Sequence, residues 1–254
     1  MKYIKILSMS VILALGAGMV FAFISKTDRK AGNGFAVVEL FTSEGCSSCP
    51  PAEELMVRLQ SEYKDKDVYL LAYHVDYFDQ LGWKDTFGSP AHTSRQTQYG
   101  SWLKKRQIYT PQAIVNGKYE FVGSDEGVMQ NAIRSELAVQ RTSSLLLSAR
   151  MEKRKIVLDY QVDKSISATR LAIAIIQKTA KVNVKSGENG GKQLLHIQIV
   201  QQLTTQVISA SGKGSTSITV PLGFDPKGWE VLGMVQNMTS GEILTATRAG
   251  LERN

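Results

Sequence analysis

The 254-residue chain carries 30 Lys and Arg against 23 Asp and Glu, a formal net charge of +7, and 43% of its residues are hydrophobic. A chain of this length buries a core that needs neither a disulfide nor a metal merely to fold. Its basic residues are scattered, and the short cluster Lys104, Lys105, Arg106 reads as the solvated face of a helix, which argues against nucleic acid as a partner.

Lys2 and Lys5 precede an apolar run from Ile6 to Ile24, broken only by Ser8, Ser10 and glycines. A basic end followed by such a run is an export signal. Val20 and Ala22 suit cleavage after Ala22; alternatively the run, at roughly 18 to 20 residues, stays as an N-terminal membrane anchor. Either way residues 1–25 stand apart, and the remainder faces the periplasm or cell envelope. Without those residues two lysines go and the net charge falls to +5.

From 34 to 141, strand-like and helix-like segments alternate. AVVELFT (36–42) is a short run of β-formers with the pattern of a strand buried on both faces. PPAEELMVRLQSEYK (50–64) places Leu55, Met56, Leu59 and Tyr63 at helical spacing,. DVYLLAYHVD (67–76) is a second buried strand, followed by a long aromatic connection to Ser89-Pro90, an N-cap with proline at the first helical position. A helix then runs to about Gln107. QAIV and KYEFVG flank Asn116-Gly117, a strong hairpin signal, and a last helix covers about 126–140. The order predicts an α/β domain. From 142 to 254, seven short β-type runs separated by Gly, Ser, Asn and Lys turns predict an all-β, sandwich-like second domain.

The two cysteines, Cys46 and Cys49, lie three positions apart between the first strand and an amphipathic helix. So short a loop restrains the unfolded chain little, so a bond there is a weak stabiliser and the spacing points to chemistry. A C-x-x-C at a strand-to-helix turn is a redox motif. Free N–H groups and the helix dipole favour a thiolate at the first cysteine, so Cys46 attacks and Cys49 resolves. Pro50 and Pro51 lack N–H groups, however, and the regular helix starting near them weakens the dipole's effect at Cys46. His74 and Asp76 end the second strand near the edge where the site opens; they read either as proton carriers or ligands, or as a packed histidine beside a turn aspartate. Trp83, in the long connection, is a candidate for a substrate groove. His92 and His196 read as structural.

The strings VVELFTSEGCSSCPPAEEL, YHVDYFDQLGWKD, SRQTQY and YTPQAIVNG resemble domain of unknown function 1223, a bacterial group of exported thioredoxin-like proteins; the stretch ENGGKQLLH does so more thinly. The resemblance implies a thioredoxin-like fold for residues 34–141. Comparison with thioredoxins then implies that Pro111, after Thr110, is a cis-proline facing the dithiol and docking substrate backbone. It also implies that Glu39 is a buried carboxylate relaying a proton from Cys49, although it stands one residue further from the first cysteine than their acid.

The expected function is thiol–disulfide exchange on envelope proteins or a redox partner protein, with Cys46, Cys49, Pro111 and Glu39 catalytic and Thr110, Trp83, His74 and Asp76 lining the substrate site. Two alternatives stand beside it. One is soft-metal (copper or zinc) binding by Cys46, Cys49 and His74; the other is a non-catalytic binding module whose disulfide is structural. No cofactor is expected, since Gly-rich phosphate loops, Ser-His-Asp order and carboxylate-rich metal motifs are missing from the sequence.

Overall fold

The segment AVVELFT forms strand β1 (Ala36–Thr42), buried at all seven positions, because helices cover both of its faces. The computed structural model describes residues 34–163 and 168–252; the predicted export signal or anchor, residues 1–25, lies outside them. Helix α1 (Pro50–Glu62) begins with two prolines at positions whose N–H groups have no intrahelical acceptor in any case,. Strand β2 (Val68–His74) runs parallel to β1 in a register that pairs Thr42 with His74. A 3₁₀ turn (Asp79–Leu81) and a loop lead to α2 (Pro90–Trp102), where the Ser89 hydroxyl accepts from the Ala91 N–H at 3.2 Å. Strands β3 (Gln112–Val115) and β4 (Tyr119–Val122) form a hairpin whose turn residues Asn116 and Gly117 both have positive φ, 48° and 67°. These are the angles of the turn type that follows the right-handed strand twist. Helix α3 (Glu126–Ala138) is capped by Asp125, which accepts from the Val128 N–H.

The second half supplies β5 (Leu145–Glu152), β6 (Lys155–Val162), β7 (Thr169–Asn183), β8 (Gln193–Val207), β9 (Lys213–Thr219), β10 (Trp229–Asn237) and β11 (Ile243–Glu252). All eleven strands join one mixed sheet in the order β4-β3-β1-β2-β8-β7-β10-β11-β5-β6-β9.

This arrangement corrects the expected thioredoxin-like α/β domain followed by a separate sandwich. The protein is a large, mostly β structure, with three α-helices among the described residues. The overturning feature is β8: it pairs with β7 along almost its whole length and meets β2 in parallel at Ala72 and Ile199. The strands of the second half therefore extend the sheet of the first. Hydrophobic periodicity finds strands but not their partners, and it cut the two 15-residue strands β7 and β8 short,.

Strand alternation sorts the core into layers. On one face, Val38 and Leu40 of β1 and Leu70 of β2 pack under α1 and α3 against Leu55, Met56, Leu59, Met129 and Ile133. On the other, Val37, Phe41, Leu71 and Tyr73 meet Tyr99 of α2 and, from the second half, Leu232, Met234 and Ile243. The sheet curls so that Ile156, Leu158 and Ile218 of β6 and β9 close over Leu171, Ile173, Ile175 and Val231 of β7 and β10. Both faces of β7 are buried as a result, which is what the unbroken run LAIAII requires,.

Candidate functional site

The carboxyl ends of β1 and β2 are the natural place for a site in a parallel arrangement, and both cysteines lie there. Cys46 and Cys49 are joined by a disulfide, with Cα atoms 5.4 Å apart. Cys49 is fully buried and Cys46 is 2% exposed, whereas Ser47 and Ser48 between them are exposed. Cys49, rather than Cys46, is the residue preceding α1, so the helix dipole bears more on the second cysteine than on the first. The Ser48 hydroxyl lies 3.4 Å from the Cys46 sulfur.

The loop between β7 and β8 clamps this turn from outside. Asn189, fully buried, donates from Nδ2 to the carbonyls of Glu44 and Cys46 at 2.8 and 2.9 Å. The Ser47 N–H donates to Glu188 at 2.9 Å, and hydrogen bonds from Ser47 hold that exposed carboxyl below the usual glutamate range,. Ser186 donates to the Gly82 carbonyl at 2.5 Å.

Beneath the disulfide is a buried cluster of ionisable groups. His74, at the end of β2, shares its Nδ1 with both oxygens of Asp85 at 3.0 and 2.9 Å. Burial opposes a charged imidazole, but the Asp85 carboxylate, with Glu53 and Glu44 beyond it, raises the His74 pKa above its usual 6.5. Burial likewise works against charge on Asp85, and His74 with the N–H groups of Glu44 and Phe87 brings its pKa below normal. Glu53, in the first turn of α1, accepts from Thr42 at 2.7 Å and pairs through its other oxygen with His196 Nδ1 of β8. Glu44 accepts from the Trp83 indole N–H at 2.6 Å and from Thr86. His92 stands behind, its Nδ1 2.9 Å from the His74 carbonyl, and burial pushes its pKa down to about 4.

The expected site residues divide as follows. Cys46, Cys49, His74 and Trp83 come together. The Thr110–Pro111 peptide is cis, and Pro111 lies beside the start of α1: its Cβ and that of Ala52 both fall within 3.4 Å of where a Cβ at Gly123 would stand. Asp76 instead serves its own turn, accepting from the Thr93 hydroxyl at 2.5 Å. Glu39 is buried but points to the α2 face of β1, away from α1. Both its oxygens are engaged there, one by Arg95 at 2.7 Å and the other by the Tyr99 hydroxyl. The thiolate set of Cys46, Cys49 and His74 is not available in this state, because the two sulfurs are bonded to each other.

Sequence reasoning missed Glu53, Asp85, Asn189 and His196 as site residues. Glu53 had a signal: it stands beside Ala52 on the inward side of a helix whose other buried residues are Leu55, Met56 and Leu59. A carboxylate there needs a buried partner. Asn189 and His196 both fall in the ENGGKQLLH stretch, but only the pairing of β8 with β2 brings that stretch to the cysteines.

The family described as "Protein of unknown function (DUF1223)" matches residues 37–236. Among solved structures, a crystal structure of an Agrobacterium tumefaciens protein is similar at 26% identity with a TM-score of 0.66, covering 84% of this chain and 93% of that one. A domain of the outer membrane lipoprotein Omp28 from Porphyromonas gingivalis aligns at 9% identity over 45% of this chain and 91% of that one, with a TM-score of 0.28. No curated protein matches the chain.

Proposed function

The chain belongs to the DUF1223 family, and from that premise we propose that it is a thiol–disulfide oxidoreductase of the cell envelope working through Cys46 and Cys49. The observation that carries the reading is a disulfide spanning only two intervening residues, at the turn between β1 and α1. A cross-link that short removes little freedom from the unfolded chain, in a structure that already has an extensive core. Of its two sulfurs, Cys46 belongs to the residue with residual exposure, which makes it the point of attack.

In the reductive direction the Cys46 thiolate attacks one sulfur of a substrate disulfide. That forms a mixed disulfide and releases the other substrate sulfur as thiolate. Cys49, as thiolate, then attacks the Cys46 sulfur, restoring the intramolecular disulfide and freeing the second substrate thiol; two electrons have passed to the substrate. Glu44, close to the cysteines, opposes a stabilised thiolate, so the couple is reducing or intermediate rather than strongly oxidising.

The test is alkylation of the purified chain equilibrated across glutathione and dithiothreitol buffers. A reversible two-electron transition between about −270 and −150 mV is expected, the range of working dithiol exchangers. A disulfide that resists reduction below about −300 mV marks a structural bond and sinks the proposal.

A further inference from the structure

Three buried polar atoms near the disulfide have no hydrogen-bond partner. They are Nε2 of His74, Nε2 of His196 and Oε1 of Glu44, on residues that are each 0% exposed. Every other polar atom of these three side chains is committed. His74 Nδ1 faces the Asp85 carboxylate, and His196 Nδ1 faces Glu53. Glu44 Oε2 accepts from Trp83 and from both the N–H and the hydroxyl of Thr86.

The chemistry of that pattern is specific. A carboxylate at Nδ1 can only accept, so the neutral form of each ring, the form that binds a metal, carries its proton on Nδ1 and presents a lone pair at Nε2. Two imidazole lone pairs and a carboxylate oxygen are then three buried acceptors without a donor. A water molecule has two protons to give and leaves one acceptor bare, while a Lewis acid satisfies all three. Charge points the same way. Glu44, Glu53 and Asp85 are buried together, and among the described residues no Lys or Arg lies within ion-pair distance of any of them. Buried carboxylates without a cation are costly.

The geometry fits as well. His196 Nε2 lies 3.7 Å from Glu44 Oε1. Ligands at about 2.0–2.1 Å around a tetrahedral metal stand about 3.3–3.4 Å apart, so a shift of a few tenths of an ångström brings this pair to ligand spacing, and His74 is the residue shared by both donor groups around it. The two rings are 4.8 Å apart, centroid to centroid, and nearly perpendicular at 81°. Glu53, His74 and His196 offer donor atoms all within 4.8 Å of one another, as do Glu44, His74 and Asp85. Phe87 packs edge-on against both imidazoles, at 5.3 and 5.8 Å, and forms an apolar wall.

We propose that His74 Nε2, His196 Nε2 and Glu44 Oε1 bind one divalent first-row transition cation of the zinc type, with Asp85 and Glu53 orienting the two rings. Two imidazoles and a carboxylate form a borderline donor set that suits such an ion, and a carboxylate behind each ligating histidine is the usual way of fixing its tautomer. The site uses no sulfur and does not depend on disulfide exchange.

The experiment is metal analysis and cobalt spectroscopy on the full chain. Protein stripped with a chelator is expected to take up one equivalent of Zn²⁺ and to melt at a higher temperature with it than without. Co²⁺ in its place is expected to give visible d–d bands without a sulfur charge-transfer band. The Cys46→Ser/Cys49→Ser double variant is expected to bind as the wild type does, which separates this site from a thiolate site and from the redox proposal. His196→Gln, checked for native circular dichroism, is expected to lose binding, and Glu53→Gln to weaken it about 10- to 100-fold. Failure of the stripped wild type to bind Zn²⁺ overturns the proposal without recourse to any variant. So does full retention of the metal in folded His196→Gln, or its loss in the cysteine double variant.

Discussion

Glu39 illustrates how a single residue is read one way in sequence and another in space. Comparison with thioredoxins gives it a proton-relay role, but strand alternation turns it toward α2, where Arg95, Tyr99 and Gln236 close a buried network. Arg95 donates to Glu39, to the Tyr99 hydroxyl at 3.2 Å and to Gln236 at 3.3 Å, and its guanidinium stacks over the Tyr73 and Tyr99 rings. Burial and the Glu39 carboxylate act in opposite directions on Arg95, and the carboxylate prevails, holding the guanidinium more firmly charged than usual. Removing one partner of such a pair costs about 3–5 kcal/mol, whereas replacing both with apolar residues is often nearly neutral. Arg95→Met is therefore expected to lower the urea midpoint strongly, and Glu39→Leu/Arg95→Met to recover much of the loss. Equal destabilisation of the single and double variants would show that the pair is not the stabilising unit.

At the scale of elements, α3 is fastened to the sheet through Glu136. Asn116, in the hairpin turn, accepts from the Val37 N–H and donates to the Phe35 carbonyl and to Glu136; Lys118 at 2.8 Å and Arg141 complete the carboxylate's partners. Burial tends to raise the Glu136 pKa, but the hydrogen bonds from Lys118 and Asn116 and the charge of Arg141 bring it below the reference 4.5. A carboxylate depressed in the folded state stabilises above its unfolded pKa, and that stability is lost as pH falls through the folded value. Glu136→Gln is thus expected to cost about 2 kcal/mol at pH 7, with the gap to wild type shrinking steadily below pH 4.5. Urea unfolding across pH checks this; a gap independent of pH would assign the loss to packing. The elements themselves were legible beforehand. The Ser89-Pro90 start of α2, the Asn116-Gly117 hairpin and the buried run of β1 rest on local backbone chemistry that the sequence spells out.

The whole molecule is held by interfaces between sequence-distant halves. Phe41 and Tyr73 share a cluster with Leu232, Met234 and Ile243, Trp102 donates to the Met238 carbonyl at 3.0 Å, and β8 links the two sets of strands. Residues 34–252 are therefore expected to unfold in one transition, with far-ultraviolet circular dichroism and tryptophan fluorescence coincident. Trp83 reports the site, Trp102 the junction and Trp229 the β7–β10 layer, so two separated transitions would show that the halves fold independently.

The sequence by itself determined the family, the C-x-x-C pair and the local elements, because each depends on neighbours within a few positions. It also brought forward His74 and Trp83, which the strand end and the long connection after it bring to Asp85 and Glu44. Only the tertiary structure decided that the second half extends the first half's sheet, that Glu39 faces away from the disulfide, and that His196 and Asn189 belong beneath and beside it. Those facts rest on which strand pairs with which and on the register of β8 against β7 and β2. Hydrogen-bonding edges of strands are alike in every sequence, so the partner is chosen by packing of the whole core and not by local pattern.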